Sequence, residues 1–92
     1  MADKAVMAVV SGRVQGVGFR WATRRTAQAL GVSGWVANAP DGTVHAFAQG
    51  DEESVDEFVT FLRHGPPGAT VAGVDVVDES TRPRLLGFDI RH

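Results

Sequence analysis

Across residues 12–20, GRVQGVGFR, the hydrophobic period of the chain changes, and that change limits what its first third can become. Before it, Ala5 to Arg13 is a β-branched and apolar run too short for a stable helix and marked by Ser11 and Gly12 near its end, which reads as a buried strand. After it, Phe19, Ala22, Thr26, Ala29 and Leu30 fall on one helical stripe that stops at Gly31. The chain therefore opens as strand, glycine loop and helix.

The remainder extends the pattern. Ser33 to Asn38 reads as a second strand, Pro40-Asp41-Gly42 as a turn, and Thr43 to Gln49 as a third strand, so the pair forms a hairpin. Asp51 is placed to cap a second helix whose first turn holds Glu52 and Glu53, and whose core face is Val55, Phe58, Val59 and Leu62. Gly65-Pro66-Pro67-Gly68 ends that helix, Val71 to Val77 is a fourth strand, and Leu86 to Arg91 a short fifth. This order is an α+β, ferredoxin-like split βαβ sandwich (βαββαβ), expected as an antiparallel sheet of four to five strands with two helices on one face. The first and second strands then run parallel, joined by a right-handed crossover, and their carboxyl ends share one edge.

Composition narrows the function. Ninety-two residues suit one domain, residues 1–92, with an ordinary core. The absence of cysteine excludes disulfides, thiol nucleophiles and thiolate metal sites, and no histidine has metal-ligand spacing. A formal net charge of −2 argues against a nucleic-acid binder, and the amino-terminal apolar run is too brief to span a membrane and lacks a cleavage-site pattern. The expectation is a cytoplasmic monomer whose anion site, if it has one, is local.

The glycine loop is that local site. Gly16 and Gly18 can take positive φ, so the amides of Gln15, Gly16, Val17, Gly18, Phe19 and Arg20 can turn inward as a nest, and the following helix adds its unpaired N–H groups and positive dipole end. Arg20 lies in the first turn, where the dipole disfavours a cation unless something negative is also present; a phosphate would be met by a planar, permanently charged fork. Taken singly, a GxG is a tight turn, an arginine is a solvated side chain, and Asn38 beside a turn is a turn former. Asn38 closes the second strand at the edge where the glycine loop leaves the first, and the combination points to function. Trp21 and Trp35 read first as packing residues and second, for one of them, as the lining for the organic part of a ligand; His45, His64 and His92 read as exposed or packed, and Arg24 and Arg25 as a solvated helix face that can add a positive field at the mouth of the site.

GRVQGVGFR at 12–20 followed by GWVANAPDGTVHAFAQG at 34–50 closely resembles the two signature segments of the acylphosphatase family, and the likeness continues through DEFVTFLRHGPPGATV. The resemblance implies a hydrolase of small acyl phosphates that uses no metal and no cofactor. It matches Arg20 to the phosphate-binding arginine and Asn38 to the asparagine that orients the attacking water. It implies inorganic phosphate as product and inhibitor, and no nucleic-acid or membrane partner. Relatives often carry a basic residue where this chain has Ala37, which implies a lower substrate affinity. The other function open to such a sequence is a noncatalytic module that binds phosphate or carbamoyl phosphate.

Overall fold

The computed structural model describes residues 3–92, and in it the alternation of the first strand becomes a sheet with one helix-covered face. The elements run β1 (Asp3–Arg13), α1 (Phe19–Leu30), β2 (Ser33–Asn38), β3 (Val44–Asp51), α2 (Glu52–His64), β4 (Thr70–Glu79) and β5 (Phe88–Arg91). Val6, Ala8 and Val10 on β1, Val36 on β2, and Val44, Ala46 and Ala48 on β3 share one buried cluster with Phe19 and Ala27 of α1 and Val55, Phe58 and Leu62 of α2. Both helices therefore lie on the same face, in contact through Phe19 and Phe61 at 6.3 Å between ring centroids. Burying a side chain such as Phe58 contributes about 1.5–3 kcal/mol.

The sheet has five strands in the order β4-β1-β3-β2-β5. It is mixed rather than purely antiparallel: β5 pairs with β2 in parallel, from Gly34↔Phe88 to Ala37↔Arg91. Because β4 and β5 occupy opposite edges, residues 80–87 have to cross the full width of the sheet to join them. They cross on the face without helices. The Gln49 side chain behaves there as a piece of backbone, accepting from the Arg82 N–H at 2.6 Å and donating to the Arg82 carbonyl at 2.8 Å. The Arg82 guanidinium lies 4.2 Å over the Phe47 ring, so Phe47 is 0% exposed although it alternates out of the helix-side core. Arg91 covers Trp35 in the same way at 4.7 Å.

Three local expectations need correction. The buried stripe of α1 is Phe19, Thr23 and Ala27, and Ala29 is exposed. Thr23 can be buried because its hydroxyl donates to the Phe19 carbonyl at 2.8 Å, which satisfies the polar group inside the helix. Asp51 occupies the position before α2 but makes no side-chain capping bond, and Val59 is half-buried against the core rather than within it.

Candidate active site

Val44, near the start of β3, pairs with Val10 of β1 on one side and Asn38 of β2 on the other. The carboxyl ends of β1 and β2 therefore stand two strand spacings apart, about 10 Å. The loop after β1 is anchored by Val14, which is fully buried, and by Val17, which packs against the core. Between and after these valines, Gly16 and Gly18 take left-handed φ of 74° and 77°. A Cβ at either would meet nothing within 4 Å, so conformation rather than crowding selects glycine there. Left-handed residues at alternate positions are how an anion nest is built.

Gly18 is also the N-cap of α1. It supplies no side-chain cap, no acidic residue occupies the first turn, and the Ala22 N–H bonded to the Gly18 carbonyl at 3.0 Å begins the ladder. The N–H groups of Phe19, Arg20 and Trp21 thus have no acceptor within the helix. The other helix is treated differently, with Glu52 and Glu53 set in its first turn to complement the dipole. Neither helix has a side-chain cap, but α1 alone lacks an acidic residue in its first turn, and it places a half-buried cation, Arg20, there. Among the described residues Arg20 has no carboxylate partner; its Nη1 lies 3.3 Å from Nδ1 of His92.

Asn38 ends β2 exposed, and its side-chain amide has no hydrogen-bond partner among the described residues. The turn beyond it is closed by hydrogen bonds. The Ala39 N–H donates to the Thr43 carbonyl at 2.9 Å, and the Thr43 hydroxyl and N–H donate to Oδ1 of Asp41 at 2.6 and 3.0 Å. Those two bonds, the hydroxyl's first, hold the Asp41 carboxyl below its ordinary 3.8. Gln15 then fastens this turn to the glycine loop, its Nε2 donating to the carbonyls of Ala39 at 2.8 Å and Thr43 at 3.0 Å.

Val14, Gly16, Gly18, Phe19, Arg20, Trp21, Asn38, Ile90 and His92 border one open cavity of about 220 Å³. Water occupies roughly 30 Å³ in the liquid, so a small organic anion has room there. Of the site residues expected from sequence, Gly16, Gly18, Phe19, Arg20 and Asn38 meet at this cavity, whereas Gln15 and Val17 do not border it. Ile90 and His92 were not anticipated there, and Trp21, expected first as a packing residue, takes up the second reading given to it. Trp21 does not pack into the protein, being 60% exposed. Ile90 and His92 arrive because parallel pairing of β5 with β2 sets Arg91 beside Ala37 and so brings His92 level with Asn38. No motif in residues 88–92 announces that pairing. Among the described residues no three His, Asp or Glu side chains gather as metal ligands, and no helix is long and apolar enough to cross a membrane.

A ferredoxin-like sandwich with a left-handed glycine loop and an uncapped, arginine-bearing helix start defines a class of α+β domain. The particular family follows from comparison: the acylphosphatase family model matches residues 6–90, and the chain belongs to that family. It is 51% identical to an acylphosphatase of Rubrobacter xylanophilus over 88 residues, covering 96% of this chain and 80% of that protein. The crystal structure of acylphosphatase from Bacillus subtilis superposes with a TM-score of 0.92 at 32% identity, covering 97% and 99% of the two chains. Full-length HypF, in a phosphate- and nucleotide-bound form, contains a similar unit: TM-score 0.89 and 25% identity, over 99% of this chain but 12% of that one. The chain is a hydrolase of acyl phosphates.

Proposed function

We propose that the cavity holds the phosphoryl group of an acyl phosphate in the 15–20 loop and Arg20, and that Asn38 orients the water that attacks it, without a metal ion. The observation that carries this reading is the meeting of Gly16, Gly18, Arg20 and Asn38 at a single opening. Phosphoryl transfer spreads charge over three equatorial oxygens, so it calls chiefly for positioning and electrostatic stabilisation. The unpaired N–H groups at the start of α1 and the planar guanidinium supply both. An amide side chain donates and accepts at once, which suits Asn38 to fixing a water in line with the leaving oxygen.

Water oxygen bonds to phosphorus as the phosphorus–oxygen bond to the acyl group breaks. The departing carboxylate is a stable anion and needs no proton, and the proton of the attacking water passes to a phosphoryl oxygen. The products are a carboxylate and inorganic phosphate, and the latter inhibits because it presents the same oxygens to the same cradle. A noncatalytic phosphate-binding role, suggested by the similar unit within phosphate-bound HypF, would use the same groups without turnover.

Hydrolysis of acetyl phosphate and benzoyl phosphate by chelator-treated protein separates these readings. The wild type retains full activity, while Arg20→Gln loses at least about 100-fold in kcat/KM, the scale of one lost transition-state donor. Arg20→Lys also fails, because an ammonium cannot reproduce a bidentate fork. Near-wild-type turnover by either folded variant, or activity restored only by added magnesium or zinc, overturns the mechanism.

A further inference from the structure

Trp21 is the one exposed aromatic side chain among the described residues; the five phenylalanines and Trp35 are buried or half-buried. At 100° per residue it points away from the α1 core stripe of Phe19, Thr23 and Ala27, so the fold makes no use of it. An exposed indole is costly in water. It is nevertheless held in place: one turn later the Arg25 guanidinium lies 5.4 Å from the ring centroid. The ring borders the same cavity as Arg20 and Asn38, and the other apolar side chains there are Val14, Phe19 and Ile90.

The chemistry of the substrate determines what must lie against these groups. With the phosphoryl oxygens committed to the loop and Arg20, the carbonyl carbon is only two bonds from phosphorus. The rest of the acyl group is therefore inside the opening or at its mouth, and of the apolar side chains there Val14 and Phe19 are buried, which leaves Trp21 and Ile90 to meet it. We infer that Trp21, with Ile90, forms the acyl-binding wall of the cavity, and that the protein prefers acyl phosphates with an aromatic or bulky apolar acyl group to acetyl phosphate. The inference rests on the reaction proposed above. A flat indole stacks on an aryl acyl group with an advantage that a methyl group cannot exploit.

Steady-state kinetics with benzoyl and acetyl phosphate, on wild type, Trp21→Ala and Trp21→Phe, provides the test. In Trp21→Ala the ratio of kcat/KM for benzoyl over acetyl phosphate falls about fivefold, mainly through the KM for benzoyl phosphate, and Trp21→Phe recovers most of it. The inhibition constant for inorganic phosphate moves by less than about twofold, because phosphate does not reach the wall. An unchanged ratio in Trp21→Ala overturns the wall while leaving the reaction in place. Failure of the wild type to turn over either compound overturns the reaction and the wall with it.

Discussion

Arg20 stands where a helix ordinarily disfavours a cation, in the first turn of α1, and its companion at the cavity is an asparagine with no other hydrogen bond to make. In the proposed reaction each gains a partner, Arg20 the phosphoryl group and Asn38 the attacking water. Their duties differ, and so should their variants. Asn38→Ala removes the water's partner but none of the positive groups, so kcat falls by about 100-fold or more while the affinity for inorganic phosphate changes little. Isothermal titration beside steady-state kinetics reads the two quantities separately. Phosphate affinity collapsing in parallel with kcat would place Asn38 in the cradle rather than on the water. Asn38 is exposed, so the variant tests chemistry rather than folding.

At the scale of elements, the site depends on how the β2–β3 turn is held against the loop after β1. Sheet pairing brings the two strand ends to about 10 Å, which is too coarse for a hydrogen-bonded water. Gln15 supplies the finer adjustment through its two bonds to the Ala39 and Thr43 carbonyls. Gln15→Leu keeps the volume and loses both bonds, at about 1–3 kcal/mol for a partly buried pair. The variant should unfold at lower urea, and its kcat should fall by more than its phosphate affinity, since the turn carrying Asn38 is released while the α1 start is untouched. A lowered urea midpoint with unchanged kcat would mean that Asp41 and Thr43 hold the turn unaided. The two helix starts differ in charge: Glu52 and Glu53 complement the dipole of α2, whereas α1 has no acidic residue in its first turn.

For the whole molecule, a ligand that binds only the assembled cradle must stabilise the fold. The unfolded chain has no nest, since the loop glycines take their left-handed φ only between valines anchored in the core. At ten times its dissociation constant, phosphate adds about 1.4 kcal/mol, which raises the melting temperature of a domain this size by roughly 5–10 °C. Sulfate should act similarly and chloride much less. Arg20→Gln should erase most of the shift. A thermal melt in which saturating phosphate moves wild type and Arg20→Gln equally would place the anion elsewhere.

The sequence by itself determined the element order, the glycine loop and the shared edge of β1 and β2, because each rests on local signals: hydrophobic period, turn residues, and the crossover they imply. Ser33 to Asn38 was legible to the residue. Local signals also explain the misreadings. Thr23 counts as polar until its hydroxyl finds the Phe19 carbonyl, and Gln15 looks like a loop amide until its side chain meets a turn 24 residues away. Only the tertiary structure decided that β5 would add to β2 in parallel, since the short Phe88–Arg91 strand carries no mark of its partner or direction. That pairing brings Ile90 and His92 to the cavity, and the packing of α1 leaves Trp21 outside the core and at the same opening. The groups proposed to meet the phosphate are thus written in contiguous motifs, while those inferred to meet the rest of the substrate are assembled by contacts across the chain, which no single segment encodes.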